Sequence, residues 1–512
     1  MPSRTDSPLD IAIIGAGLGG LSAAVALRRQ GHRITVYERY DFAGEVGASL
    51  SAASNGSRFL EQWGVDVKAA KPVVLKKLIM HDWETGAVQS EYGLGDYKAK
   101  FGTEYNNFHR IDIHQQLLKS AFEQPGEGTP CTLKVNHKAV SLDAEAGRIV
   151  FENGETASAD LIVAADGIRS QSRLDMGITP EFTMSTSCCY RCIISAEKLR
   201  SLGLDDYIDN EAIEYWGGFG INKIVMSPCS NGDVVSCYCF YPAEYNNLRD
   251  DGWNISATPK QLVDTFPGLD ERMKLLMTNA EDIKMWRLYR HQPYPYWVKG
   301  KVCLLGDAAH PMMPDQSQGS CMAFEDAGAL GLIFHRTFRE EYSVAEGLQL
   351  YEQLRKPRAT KVQEASFRAR EDLSERIGWS SSTDRPGKLT IEEVCGYNMR
   401  THLEELKASK YPLPRRPRPP VSATTIPSTH PIFNNSVPPV PALLDFPVVF
   451  HRLGTKDNGT RGYLDNQAIT YIHIDPVNGF APPQWQSGIG MVIVARKDRK
   501  DLTPEHYEAI WM

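Results

Sequence analysis

The chain opens on a polar stretch and then turns abruptly apolar. Residues 10–14 end in Ile11-Ala12-Ile13-Ile14, a short run closed by glycine that reads as a buried strand. Gly15 to Gly20 make a glycine-rich turn, and residues 21–30, small and apolar, predict a helix ended by Gly31. Residues 33–38 read as a second strand, which completes a βαβ unit. Residues 149–152 and 161–164 read as further strands. From Phe182 to about Lys284 the texture changes to short β-rich runs at 188–194, 212–216, 223–226 and 233–241, which predict a strand-rich layer. Two long helices follow, over 323–338 and over 351–377, the second rich in Arg, Lys and Glu.

The pattern breaks near Lys410. Eleven of the 31 prolines fall at 412–447, and proline removes backbone donors and favours extended chain, so this stretch reads as a linker or strap. Beyond it, 468–474 and 489–495 predict strands. Thr503-Pro504 predicts a helix start, with Thr as cap and Pro in the first turn. Residues 448–512 carry no recognisable motif and read as a partial domain or an extension.

Bulk properties narrow the function. At 512 residues, two or three domains are expected. A hydrophobic share of 42% and a charged share of 23% are those of an ordinary globular protein. The net charge of -7 offers nucleic acid no basic face. There is no apolar run long enough to span a bilayer and no apolar signal core in residues 1–10, so a cytoplasmic protein is expected. The ten cysteines all lie between Cys131 and Cys395. Cys189-Tyr190-Arg191-Cys192, with Cys237 and Cys239 on one face of a strand, could hold zinc. Structural zinc sites usually show two clean C-x-x-C pairs, so buried free thiols are expected instead, and no metal.

Gly15, Gly17 and Gly20 form a Gly-x-Gly-x-x-Gly fingerprint in a strand–turn–helix setting. Such glycines let the backbone approach a pyrophosphate at a helix N-terminus, where free N–H groups favour anions. Glu38 ends the second strand about 20 residues on, where a carboxylate takes an adenosine ribose hydroxyl. Much later, Leu304-Leu305-Gly306-Asp307-Ala308-Ala309-His310-Pro311 carries an apolar strand into a carboxylate suited to accept from a ribityl chain.

The glycine fingerprint, Asp166-Gly167 mid-chain and Gly306-Asp307, in that order, resemble those of the FAD-dependent flavoprotein monooxygenases of the aromatic hydroxylase class, especially fungal salicylate-hydroxylase-like enzymes. The resemblance runs from about Ile11 to about Leu406. It implies an α/β fold in which a Rossmann-like FAD-binding domain is interleaved with a β-sheet substrate domain. FAD-binding parts are expected at about 8–75, 105–175 and 285–345, the substrate sheet at about 76–104 and 176–284, and closing helices at 346–409. The linker is then 410–447 and the tail 448–512.

The resemblance also implies chemistry. NADPH or NADH visits to reduce the FAD, and reduced flavin with O2 gives a C4a-hydroperoxide. Its distal oxygen passes to a small aromatic or polyketide-like substrate. Gly47 and Ala48 lie against the flavin, Arg110 meets its ribityl or phosphate region, and Asp166 and Gly167 lie near the pyrophosphate. Pro314, Gly319 and Ser320 bring a helix N-terminus to the flavin's pyrimidine side. Family members usually have glycine at the Ser317 position. His310 reads as a loop anchor. Arg191 resembles the arginine that holds a phenolate, and Tyr215 stands in for a tyrosine that the aligned stretch Ile224-Val225-Met226 lacks. A flavin oxidase or dehydrogenase on the same fold, or a non-catalytic flavin-bearing scaffold, are the rival readings. A monomer or homodimer is expected.

Overall fold

The computed structural model describes residues 8–41, 48–124, 126–245, 253–377 and 388–410, and in the tail two strands, Val448–Arg452 and Val492–Arg496. The chain divides into two units, Met1–Pro412 and Leu413–Met512. In the second unit the two described strands pair antiparallel. The first was not predicted, and the second overlaps the expected 489–495 strand. The proline-rich stretch, the 468–474 strand and the Thr503 helix lie outside the described residues.

In the first unit Asp10–Ile14 is an inner strand of a six-stranded sheet. The order is Val298–Lys299, Val302–Leu304, Leu161–Ala164, Asp10–Ile14, Arg33–Tyr37, Thr132–Lys134. All neighbours are parallel except the hairpin of the first two. Ile11, Ile13 and Leu161 to Ala164 are buried, as strands covered on both faces require. The Leu18–Arg28 helix packs against the Gly319–Ile333 helix, where Gly331 brings the backbones close at Ala26.

The second layer is an eight-stranded sheet in the order Trp253–Ser256, Glu281–His291, Phe182–Ser195, Val234–Pro242, Lys223–Cys229, Ala212–Gly217, Lys77–His81, Val88–Gly93. Strand register sorts its side chains into two faces. Cys192 lies opposite Cys237, and Tyr190 opposite Cys239. These residues share an apolar core with Ile224, Met226 and the helices Pro259–Asp264 and Glu271–Thr278. The other face carries Arg191 opposite Tyr238, Tyr238 opposite Val225, and Val225 opposite Tyr215. All ten cysteines are free and buried, so the cysteine-rich strands use them as small hydrophobes.

Helix boundaries differ from expectation for local reasons. The first helix starts at Leu18, inside the glycine turn, because Gly17 serves as its N-cap. The 323–338 helix starts earlier, at Gly319, and ends at Ile333. The 351–377 helix runs instead over Val344–Arg368. Ser343 and Glu346 form a reciprocal capping box that fixes its start, and Pro357 is accommodated inside.

Candidate active site

Successive motifs are more than a hundred residues apart in sequence but end adjacent parallel strands. Ile14 lies opposite Ala164, and Ala164 opposite Leu304. The glycine turn, the Asp166-Gly167 turn and the Gly306-Asp307 turn thus emerge side by side at the carboxyl ends of one sheet, where open α/β sheets bind ligands. They border one continuous cavity of about 1990 Å³. Small-molecule sites usually span about 300–1,000 Å³, so this space is large enough for a dinucleotide and a second molecule.

Backbone chemistry shapes the first turn. Gly15 has φ +98°, and a Cβ there would lie 2.5 Å from the Ala165 carbonyl oxygen. A Cβ on Gly20 would lie 2.0 Å from the Gly15 oxygen. Gly20 therefore shapes the turn from behind, while a Cβ on Gly17 would meet open space. The helix that follows has neither a side-chain cap nor an acid in its first turn, which leaves its N–H groups for an anion. Glu38 stands at the cavity wall, accepting from the Ala16 amide at 2.8 Å and the Tyr40 amide at 3.0 Å.

The other two turns are tied together by Arg173, a residue the sequence reading missed. It donates to the Ile168 carbonyl at 2.8 Å and the Ala308 carbonyl at 3.2 Å. Ser170 caps the short helix that carries it. The Asp-Gly turn followed by a Ser cap three residues later was the available signal. Asp166 accepts from the Ser172 amide at 3.0 Å, and its other carboxylate oxygen is buried without a partner among the described residues. Asp307 lines the cavity and is solvent-exposed. Burial among protein atoms raises its carboxyl above the ordinary range, while His310, Arg110 and Arg173 pull it back. Arg110 and Ala48 also line the cavity, and Gly47 lies outside the described residues.

A buried ionic network holds the Gly306 turn to the Gly319–Ile333 helix. Asp326 accepts from the Gly306 amide at 3.1 Å and meets His310 Nε2 at 2.6 Å. Arg355 reaches Asp326 at 2.9 Å and Glu325 at 2.5 Å. Glu325 also takes Asn55 at 2.9 Å, and Arg358. His310 is thus a loop anchor. The helix itself starts without a side-chain cap, with Pro314, Gly319 and Ser320 in the cavity wall. Ser317 takes the left-handed conformation, φ 53°, that suits glycine better, and its hydroxyl accepts from Arg376 at 3.3 Å.

Tyr215 and Arg191 part company at the roof. Tyr215 lines the cavity, is 1% exposed, and has the Arg376 guanidinium 5.2 Å from its ring centre. Burial raises its hydroxyl pKa. Arg191 is fully buried, which removes the surface-charge reading, yet it is not among the described residues that line the cavity. It forms an ion pair with Asp282 and lies 5.8 Å from the centre of Trp286, which does line it. Its Nε and Nη1 have no partner among the described residues. A counter-ion in Asp282, ninety-one positions away, could not be read from the sequence.

A family model described as FAD binding domain matches residues 8–366. Hispidin-3-hydroxylase of Neonothopanus nambi is 33% identical over 377 residues, covering 71% of this chain and 88% of that protein. The chain belongs to the FAD-dependent monooxygenases of the aromatic hydroxylase class. The 6-hydroxynicotinate 3-monooxygenase of Pseudomonas fluorescens is 28% identical over 382 residues, 72% of this chain and 94% of that one. Among solved structures, CtdE in complex with FAD and a substrate aligns with a TM-score of 0.65 at 20% identity, over 78% of this chain and 98% of that one. A salicylate hydroxylase substrate complex aligns at 0.58 and 22% identity, over 80% and 96%. At such identities these two speak for the fold.

The monooxygenase's own residues fit FAD. The glycine turn is open at Gly17, Glu38 lines the cavity beside it, and Asp166 has a buried oxygen in want of a donor. Asp307 offers a cavity-facing carboxylate, and the uncapped Gly319 helix offers N–H groups. Among the described residues no helix is long and apolar enough to cross a membrane.

Proposed function

We propose that this monooxygenase uses NADPH or NADH and O2 to hydroxylate a small aromatic or polyketide-like compound. The observation that carries the reading is the single continuous cavity, which joins the FAD cradle to the inner face of the eight-stranded sheet. Bound FAD supplies the activation of oxygen once reduced by the nicotinamide, and the chain does the rest. N–H groups at the Gly319 helix start favour negative charge beside them. Ile213, Val225, Met312, Met313 and Phe240 give the substrate end an apolar wall that excludes water, which otherwise diverts oxygen to peroxide. The substrate named for one relative, 6-hydroxynicotinate, supports an electron-rich ring. The test is a substrate screen under 18O2, scored by substrate-stimulated NAD(P)H consumption and product mass. A gain of one labelled oxygen supports the reading. Turnover without incorporation makes the protein an oxidase or dehydrogenase, and bound flavin without turnover makes it a scaffold.

Tyr215 is assigned to touch the substrate, and Arg191 to position the wall through Trp286 and Tyr238. Arg191→Ala is expected to keep its FAD yet release more of its NAD(P)H oxidation as peroxide, with Arg191→Lys restoring part of the coupling. Unchanged coupling in the alanine variant would leave Arg191 a structural ion pair only.

The catalytic unit is assigned to residues 1–409. A chain truncated after Lys410 is expected to stay soluble and yellow, with a melting temperature within about 2 °C of the full protein, roughly the shift of a 1 kcal/mol change. A colourless or insoluble truncation would make the tail part of the catalytic fold.

A further inference from the structure

One end of the cavity carries more positive charge than its surroundings neutralise. Lys223 comes from the sheet, Arg370 and Arg376 from the segment after the Val344–Arg368 helix, and each is 1–2% exposed. Lys223 and Arg370 both form an ion pair with Asp315. Among the described residues Asp315 is the one carboxylate that forms an ion pair with any of the three. Lys223 Nζ lies 5.1 Å and the Arg370 guanidinium 4.3 Å from the centre of the Phe240 ring. Arg376 stands over Tyr215 and donates to Ser317. Lys223, Arg376, Tyr215, Phe240 and Asp315 all line the cavity.

Three buried cations around one carboxylate leave a formal excess of two positive charges. Burying unpaired charge is costly unless a partner arrives. The strain shows in Lys223, whose ammonium burial pulls down to about 8, more than Asp315 restores. Asp315 stays well ionised despite its own burial, because Lys223 and Arg370 hold it below its ordinary value. Its second oxygen is buried without a partner among the described residues and can accept from a hydroxyl. The cluster lies on the substrate sheet, on the segment after the Val344–Arg368 helix and on the loop before the Gly319 helix. The glycine turn that serves a pyrophosphate ends a strand of the other sheet.

We propose that this end of the cavity is an anion-recognition site, and that the substrate is an aromatic compound held through an ionised oxygen acid, a carboxylate or an acidic enolate, by Lys223 and Arg376. The proposal rests on the monooxygenase reading for the identity of the bound molecule as substrate. Arg191 is unsuited to the task because it is not among the described residues that line the cavity.

The test is calorimetric binding to the FAD-loaded enzyme with matched probes: benzoate against benzamide for a carboxylate, and 4-nitrophenolate against 4-nitroanisole for an enolate-like oxygen. At least one anion is expected to bind tenfold or more tightly than its neutral partner. Lys223→Met and Arg376→Met should each weaken that anion tenfold or more, leave the neutral probe unchanged and keep the flavin. Lys223→Met leaves Asp315 paired with Arg370, so the fold should survive. Arg376→Met, on another segment, provides the second variant. Equal affinity for anion and neutral probe, no anion binding at millimolar concentration, or equal loss of both probes in the variants would each overturn the proposal. Turnover plays no part in the assay. Failure of the monooxygenase reading would appear instead as absent oxygen incorporation in the labelled screen.

Discussion

Arg355→Ala is expected to lower the melting temperature by about 4–8 °C, the equivalent of a broken buried ion pair worth about 3–5 kcal/mol in a domain of this size. Arg355 is fully buried and forks between Glu325 and Asp326, which are equally buried. Alanine leaves Glu325 with Arg358 and Asn55, and Asp326 with His310 and the Gly306 amide. Neither carboxylate then has its full counter-charge. Burial works against ionisation at both, but Arg358 and Arg355 outweigh it at Glu325, and His310 and Arg355 at Asp326, so both sit below their ordinary values. A depressed carboxylate contributes stability above its unfolded pKa and loses it as pH falls through the folded one. The variant loses much of that depression. The gap between the two proteins should therefore be widest near neutral pH and should narrow in acid. Lysine cannot fork between two carboxylates, so Arg355→Lys should rescue only part. The double variant Arg355→Met, Asp326→Asn should recover more, because Glu325 keeps Arg358 and no carboxylate is left without a counter-charge. A melting temperature unchanged by Arg355→Ala would mean that water already reaches the network.

That network marks where sequence reading reaches its limit. The Gly15 and Gly306 turns were legible because their chemistry is local, whereas the Asp166 turn was reached only through the family resemblance. Glycine at φ +98° and a carboxylate one residue after an apolar strand announce themselves within a few positions. The strand-rich layer was legible from its period, although Phe182–Ser195 extends well beyond the apolar run. Side-chain partners are another matter. Arg173 joins two turns that lie far apart in sequence, and Lys223, Asp315 and the Arg370–Arg376 segment meet from three separate parts of the chain. No pattern of spacing encodes such meetings, since they depend on which strands become neighbours. Arg191 shows the same limit. Its place on a strand of the β-rich layer was read from the sequence, but its ion pair with Asp282 depended on the neighbouring strand. Ser317 is the reverse case. A serine where relatives usually have glycine was visible at once, and only the fold shows the left-handed turn kept, with Arg376 bonded to the hydroxyl.

Asp307→Ala is expected to weaken FAD binding roughly ten- to hundredfold, because hydroxyls of the ribityl chain lose a charged acceptor worth about 1.5–3 kcal/mol. The carboxylate is well placed for this. It follows Gly306, whose amide is fixed by Asp326, and its turn is clamped by Arg173 through Ala308. It faces the cavity across which Arg110 also stands. The surrounding protein atoms raise its carboxyl above the ordinary range although the residue is solvent-exposed, with His310, Arg110 and Arg173 opposing the rise. Hydroxyl donors favour the ionised form, so binding FAD should release a proton. FAD affinity should accordingly rise with pH through the range where the free site titrates, and level off above it. Asp307→Asn keeps an oxygen acceptor but not the charge. It should bind FAD with intermediate affinity and show no such rise. Fluorescence titration of the apoprotein with FAD at several pH values reads all three proteins. Full flavin occupancy of Asp307→Ala at low FAD concentration would transfer the burden to the glycine turn and the Gly319 helix. An Asp307→Asn variant with the parent's pH profile would assign the titration to another group at the cavity.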